Sequence, residues 1–534
     1  MEGFVHADGG QLLDGRGRPL VLRGVGLGNW LLPEGYMWRF ESPGPQSPHE
    51  IEALIVDLVG PERASEFWRR FRDVFITEAD IARIASEGMN HVRLPINWRV
   101  VMDEGGGLIE SGFELIDRLI GWCRAHELWV VLDLHGAPGG QTGTHIDDSL
   151  NGRPELFTED RYRRLTIDLW RAIARRYRDE PAVAAYDLLN EPLPLEYQHS
   201  YADRLRDIYI DLTTAIRGID PNHAISYEGT HWATNWSIFT EVWDPNSLLQ
   251  FHKYWSPPDR PSIQPYLDAG RRLGLPVYMG EGGENYLPWI QTAFQLYDDC
   301  GISWNFWPWK KVNTSTSPCS VVAPAGWQKI VDFAACRAPQ PTASEAWRLL
   351  SDLLAAMAIE RCEYRADVVA ALFRRAPVKI PAVGFGFRGA GRSYRTFDAR
   401  PLTGFRSDDQ VTIRRVQGTD DGELDWNHAR DATHSAEDDL VVSLRDREWV
   451  AYEFEMRQAA PVEFEIASAN GRPAIEVSVD GVALVEDAAG AGNVSASTKR
   501  PLGAGSHVVR ITGCAGESLV RTIEIRPERR SQPI

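Results

Sequence analysis

The chain has 534 residues, 43% hydrophobic and 25% charged, with a formal net charge of −18. Those proportions suit a globular protein of two or more domains. The acidic balance argues against nucleic acid or an anionic membrane as a partner, since both require positive patches.

The opening residues Met1-Glu2-Gly3-Phe4-Val5-His6-Ala7-Asp8 lack the basic start and apolar run of a leader. No segment approaches the roughly 18 apolar residues of a membrane helix. The six cysteines, at 123, 300, 319, 336, 362 and 514, show no C-x-x-C spacing. This predicts free thiols in a reducing compartment, no metal site and a cytoplasmic protein.

Up to about residue 360, strand-like and helix-like segments alternate. Short apolar runs at 19–24, 91–95, 129–134, 184–189, 224–227, 248–252, 276–280 and 302–306 suit strands of a parallel sheet buried on both faces. Between them, 77–88 opens at Thr77 and repeats apolar residues at Ile81, Ile84 and Ala85, and 111–126 and 160–178 keep the same helical spacing. Eight such units over 1–360 predict an α/β fold, a (β/α)8 TIM barrel, with 32–72 inserted after the first strand. Residues 361–407, including Gly384-Phe385-Gly386-Phe387-Arg388-Gly389-Ala390-Gly391, read as an irregular linker. From 408 to 534 the period becomes two, at 411–416, 440–444, 449–456, 462–466, 474–479, 507–511 and 519–525, with turn signals such as Asp480-Gly481. That pattern predicts an antiparallel β-sandwich domain. Only Trp426 and Trp449 of the 19 tryptophans lie beyond residue 360. Sugar rings stack on aromatic faces, so the first domain is the expected glycan handler.

Two glutamates end apolar runs of the barrel region. Glu191 closes Tyr186-Asp187-Leu188-Leu189-Asn190-Glu191 before Pro192, and Glu281 closes Pro276-Val277-Tyr278-Met279-Gly280-Glu281 before Gly282. Two carboxylates at the tips of parallel strands are what cleavage of a glycosidic bond needs: one protonates the leaving oxygen and the other attacks the anomeric carbon. Glu284, close behind Glu281, is a rival for the second role, and the strand-tip position favours Glu281.

The motifs Arg23-Gly24-Val25-Gly26-Leu27-Gly28-Asn29-Trp30, His91-Val92-Arg93-Leu94-Pro95, Leu132-Asp133-Leu134-His135-Gly136, Asn190-Glu191-Pro192, His252-Lys253-Tyr254, Gly280-Glu281-Gly282 and Trp304-Asn305-Phe306-Trp307-Pro308-Trp309-Lys310 follow one another across the first domain. In that order they resemble glycoside hydrolase family 5, on its exo-1,3-β-glucanase and β-glycosidase side. The C-terminal region bears a loose likeness to the sandwich modules of carbohydrate-binding families 6 and 35. The family resemblance implies a retaining β-glycosidase that uses no cofactor and takes a carbohydrate or glycoside substrate. It implies Glu191 as acid/base and Glu281 as nucleophile. Asn190 would hold the sugar 2-hydroxyl, Arg93 and Tyr254 would donate to Glu281, and His135 and His252 would line the scissile bond. Trp307, or else Trp309, would floor the first subsite.

The loop 140–149, with His145, Asp147 and Asp148, reads as solvated or substrate-contacting rather than metal-binding. Together with the insertion 32–72 it is expected to wall off one end of the cleft and give exo action on β-glucosides. β-Mannosides, β-galactosides, disaccharide conjugates and glycolipids stay open as substrates, and fold does not choose among them. A transglycosylase and a non-catalytic glycan-binding barrel are the competing classes.

Overall fold

The structure is a computed structural model and describes residues 2–402, 404–417, 424–427, 435–487 and 492–528. Parts of the regions expected at 361–407 and 408–534 that fall between these spans lie outside the described residues. The chain forms two compact units: Met1–Lys253, Tyr266–Gly283 and Ser303–Tyr364 make the first, and Tyr254–Pro265, Glu284–Ile302 and Arg365–Ile534 the second.

The first unit contains a closed barrel. Its strands are β1 (Arg23–Gly26), β2 (His91–Asn97), β3 (Trp129–Gly136), β4 (Val183–Asp187), β5 (Ala224–Glu228), β6 (Ser247–His252), β7 (Val277–Gly283) and β8 (Ser303–Trp307). They close in the order β7-β8-β1-β2-β3-β4-β5-β6 with every neighbour parallel. Strands β2, β4, β5 and β6 are buried at every residue. That is why they appear in the sequence as continuous apolar runs rather than alternating ones.

The first strand departs from expectation. Pro19–Leu20 belongs instead to a small antiparallel sheet with His6–Asp8 and Gln11–Leu13. Side-chain acceptors interrupt the run there: Leu22 donates its amide to Ser303 Oγ, at 3.0 Å, and Arg23 donates to Asn90 Oδ1, at 2.7 Å. The small sheet plugs the barrel. Val5 and Leu12 join Leu22, Val131, Ala184, Ala224, Leu248 and Tyr278 in one buried cluster. Those barrel residues sit at the N-terminal ends of their strands, so the C-terminal ends are left for chemistry.

The expected helices form at Glu78–Ser86, Glu110–Ala125 and Asp160–Tyr177. The first starts from a capping box in which Thr77 and Asp80 satisfy each other's amides. The insertion after β1 is also helical, at Pro48–Val59 and Pro61–Val74. Its helices bury Phe67 and Phe71 against Trp38.

The second unit contains two antiparallel sheets. One holds the long strands Leu440–Leu444, Val462–Ser468 and Ser518–Pro527, and the other Trp449–Met456, Ile475–Val479 and Gly505–Gly513. The sheets meet face to face as a sandwich, with Phe454 of one ring-to-ring with Phe464 of the other at 5.8 Å. The linker expectation fails within this unit. Residues 361–407 include the helix Ala366–Phe373 and the strand Val378–Pro381, which pairs with Ser518–Pro527. The glycine-rich stretch is packed tightly. The Arg406 guanidinium lies 3.4 Å from the Phe385 ring centre and 3.9 Å from that of Phe387. Gly386 lacks a side chain because a Cβ there would come within 2.6 Å of Ser393 Oγ. Close approach, not flexibility, selects that glycine.

Among the described residues no disulfide forms, and Cys123 and Cys319 are buried. Among the described residues, no helix is long and apolar enough to cross a membrane.

Candidate active site

The C-terminal ends of the barrel strands converge on a buried polar cluster. Glu281, on β7, accepts from Arg93 Nη1 at 2.5 Å. Glu191 lies four residues beyond β4, at a backbone φ of 45°, in the left-handed region that side chains other than glycine's seldom adopt. Its Oε1 is 2.7 Å from His252 Nδ1, and its amide donates to Glu228 Oε2 at 2.7 Å. Side-chain ligand atoms of Glu191, His252 and Glu281 all lie within 4.8 Å of one another. The Glu281 side chain is 5% exposed and that of Glu191 17%, so Glu191 is the more accessible of the two.

Arg93, on β2, is fully buried and ties the cluster together. It donates to Asp187 Oδ2 at 2.8 Å, to Asn190 Oδ1 at 2.8 Å and to Glu228 Oε1 at 3.2 Å, with Asp133 Oδ2 at 3.1 Å. Its planar fork of five donors satisfies several acids at once, as a lysine cannot. His135 Nδ1 is 2.7 Å from Asp133, and its Nε2 faces the Asn190 amide at 3.2 Å. Gln141 Nε2 donates to the carbonyls of His135 and Asn190, which pins the loop after β3 to the β4 tip.

Trp307, at the end of β8, stacks on His135 with ring centres 5.6 Å apart and planes 3° from parallel, and its indole donates to Tyr36 at 3.0 Å. A Cβ on Gly26 would lie 2.4 Å from the Trp307 ring, and one on Gly28 2.7 Å. Those two glycines of the first motif are the seat of the tryptophan. Trp309 is not an alternative floor: it is buried and donates to Asp80, which also pairs with Lys310.

Burial and the nearby carboxylates set the titration of this cluster. Burial raises Glu191, and the charges of Glu281 and Glu228 raise it further, against the hydrogen bond from His252. Burial opposes a charged His252, but Glu228, Glu281 and Glu191 outweigh it and hold the ring well above its ordinary range. Burial lowers His135 to about 4 and raises Asp187 to about 6 against the Arg93 charge.

The structure therefore brings Glu191, Glu281, Arg93, His135, Asn190, His252 and Trp307 together. Tyr254 belongs to the second unit, where its ring is 5.8 Å from that of Trp255. Glu284 also belongs to the second unit, and its carbonyl accepts from Trp255. Sequence reading missed Asp133, Asp187, Glu228 and Gln250. Asp133 and Asp187 stand inside quoted motifs, and Glu228 ends the apolar run of β5 just as Glu191 and Glu281 follow theirs.

The loop after β3 is not solvated at its acids. Asp147 and Asp148 are buried. Asp148 holds His49 at 2.7 Å, Arg99 at 2.6 Å and Asn97 at 2.8 Å, which ties the insertion to the loop. Among the other tryptophans, Trp30 and Trp236 are core, while Trp232 is 40% exposed on the loop after β5. Trp426 is buried against Phe405.

A parallel eight-stranded barrel with paired acids at its C-terminal mouth is a framework suited to glycosidic-bond hydrolysis, and the relatives it resembles are glycoside hydrolases. Residues 58–313, which hold the barrel strands β2 to β8, match the model of the cellulase family, glycosyl hydrolase family 5. The chain is 29% identical to a β-xylosidase of Phanerodontia chrysosporium over 58% of its own length and 71% of that protein. It is 30% identical to a probable glucan 1,3-β-glucosidase A of Emericella nidulans over 49% of its length and 66% of that protein. Among solved structures, an endogalactoceramidase aligns at 16% identity and a TM-score of 0.48, over 95% of this chain and 99% of that one. Thermotoga maritima Cel5A in complex with cellobiose aligns at 18% identity and 0.41, over 59% and 97%.

Proposed function

We propose that the protein is a retaining β-glycosidase acting from the end of β-glucosides or short β-glucan oligosaccharides, with Glu191 as acid/base and Glu281 as nucleophile. The observation that carries this reading is the carboxylate spacing, with oxygens of the two glutamates within 4.8 Å. A carboxylate that attacks the sugar directly stands about 5–5.5 Å from the acid, whereas a water-activating one needs about 6.5–9.5 Å.

In the first step Glu281 attacks the anomeric carbon while Glu191 gives its proton to the leaving oxygen. The aglycone departs as an alcohol and a glycosyl ester forms on Glu281. The negative charge that raised Glu191 is then gone, so Glu191 stays ionised and takes a proton from the incoming water. That water displaces Glu281 from the sugar and restores both residues. Arg93 keeps Glu281 ionised for attack. Asn190 meets the 2-hydroxyl, His135 and His252 flank the scissile bond, and Trp307 supports the sugar ring.

Exo action is supported by the bond of His49 to Asp148 and by Arg99, which joins Glu52 to Asp148; these fix the insertion against the loop after β3. Release of mid-chain disaccharides from a long β-glucan would sink that part. A β-xyloside is the second glycone to try, since one relative is named a β-xylosidase.

The test is aglycone release from a panel of nitrophenyl β-glycosides by wild type, Glu191→Ala and Glu281→Ala, with azide added. The expected result is turnover of a β-glucoside, loss of at least about 10³-fold in Glu281→Ala, and rescue of Glu191→Ala as the β-glycosyl azide. An α-glycosyl azide from Glu191→Ala would overturn Glu191 as the acid/base, since it forms when azide replaces a missing nucleophile, and activity that survives in Glu281→Ala would rule out that nucleophile.

A further inference from the structure

Glu228 is a fully buried carboxylate at the end of β5 with no role in the proposed steps, yet it touches Glu191, Gln250, Arg93 and His252. Its Oε2 accepts the Glu191 amide at 2.7 Å. Its Oε1 accepts from Gln250 Nε2 at 2.5 Å and Arg93 Nη2 at 3.2 Å, and lies 3.3 Å from His252 Nε2. One side chain thus reaches the backbone of the proposed acid, the cation beside the proposed nucleophile, and the ring between the two.

Counting hydrogens locates a proton. Gln250 Oε1 accepts from the Ser226 hydroxyl at 2.9 Å, and the two carboxylates on the opposite side, which accept only, fix the amide nitrogen there. That nitrogen has two hydrogens but three neighbours: Asp187 Oδ2 at 3.0 Å, Glu228 Oε1 at 2.5 Å and His252 Nε2 at 3.0 Å. The carboxylate oxygens accept and consume both hydrogens. His252 Nε2 then carries its own hydrogen, directed to Glu228. The other ring nitrogen faces Glu191 Oε1 at 2.7 Å and Glu281 Oε2 at 3.7 Å, and a hydrogen on that side as well makes the ring an imidazolium.

We propose that Glu228 is a positioning residue that holds His252 as an imidazolium and fixes the left-handed backbone of Glu191, making Glu191, His252 and Glu228 one hydrogen-bonded chain that presents the catalytic proton. This rests on Glu191 being the acid/base. The groups facing His252 are Glu191 from the β4 tip, Glu228 from β5 and Glu281 from β7. Arg93, Asp133 and Asp187 stand behind them. Three carboxylates in direct reach favour the charged ring, and the raised titration of His252 agrees. Atoms balance without a further reactant: Glu191 gives its proton to the leaving oxygen and regains one from water, while His252 keeps both of its own.

The experiment uses the full chain labelled with ¹⁵N-histidine, with the His252 resonances assigned through His252→Asn, beside kinetics of Glu228→Gln and Glu228→Asp. The expected spectrum at neutral pH shows both His252 nitrogens protonated in wild type and one in Glu228→Gln, with the second proton restored in Glu228→Asp. Kinetically, Glu228→Gln loses about 10²-fold in kcat/KM on a nitrophenyl glycoside, the size of an acid-catalysis effect. It loses under about tenfold on the dinitrophenyl glycoside, whose leaving group needs little protonation. A singly protonated His252 in wild type, or an unchanged ring in Glu228→Gln, overturns the proposal. So does an equal loss on both substrates, which a merely structural role would give. The spectrum needs no turnover, so failure of the glycosidase reading shows separately, as a wild type that cleaves neither substrate.

Discussion

Two of the wholly buried arginines, Arg93 in the first unit and Arg406 in the second, are solvated in opposite ways. Arg93 in the barrel faces Asp133, Asp187, Glu228 and Glu281, with Asn190 as a neutral acceptor. Arg406 in the second unit has one carboxylate, Asp409 at 2.7 Å, and otherwise the carbonyls of Val383, Phe385 and Gly386 and two phenyl faces. Accordingly Arg93 is held well above its ordinary range, despite burial, by the acids around it. Burial lowers Arg406. A guanidinium that only has to hold a loop is satisfied by neutral dipoles. One surrounded by surplus acid leaves carboxylates whose protons have to be apportioned, and that surplus marks the reactive region.

The largest break in this contrast is Arg93→Lys. A point charge cannot replace the fork, so kcat/KM should fall by about 10³-fold, and chemical denaturation should show a loss of about 3–5 kcal/mol. Retained activity would mean that Arg93 is only packing. Arg406→Met should cost about 3 kcal/mol of stability, read from the same denaturation curves, with kcat/KM of the folded protein unaltered. A shifted pH–rate profile would erase the distinction. Gly26→Ala pushes a Cβ into Trp307 and should raise KM about tenfold at nearly constant kcat, since one hydrophobic contact is worth about 1–3 kcal/mol.

A smaller effect separates the protons of the barrel cluster. Asp187 is raised from 3.8 to about 6, so its contribution to stability is present below its unfolded value and fades as pH rises through about 6. His135 is lowered from 6.5 to about 4. Its contribution is present above its unfolded value and is lost as pH falls through about 4. The two oppose each other over the same window. Asp187→Asn removes the opposing carboxylate slope while the His135 slope stays, and calorimetry from about pH 4 to 7 should show Tm rising more steeply than in wild type. An unchanged slope would show that Asp187 is already ionised. The smallest effect is expected at the exposed pair of Arg348 and Asp352, 2.8 Å apart. There Arg348→Ala should cost no more than about 0.5 kcal/mol.

The barrel was legible because strands buried on both faces print unbroken apolar runs, and because Asn190-Glu191-Pro192 and Gly280-Glu281-Gly282 punctuate two of them. Glu228 carried the same strand-end signal but no neighbouring motif, so nothing set it apart from an ordinary turn acid. Gln250 and Asp187 sit inside apolar runs, where a single polar residue looks incidental until the barrel closes around it. The glycines of 384–391 misled for a different reason. Composition cannot tell a glycine chosen for a loose chain from one chosen for a Cβ that would collide, and Gly386 is of the second kind.

The short reach between Glu191 and Glu281 has a consequence for the energetics of turnover. On the proposed path, ester formation neutralises Glu281 as proton donation ionises Glu191. The pocket begins and ends that step with the same total charge, and one unit of it is relocated by less than 4.8 Å. The surrounding dipoles therefore never meet a change in net charge, only a small displacement of it. A rigid, dry environment with little capacity to repolarise can serve both halves of the cycle.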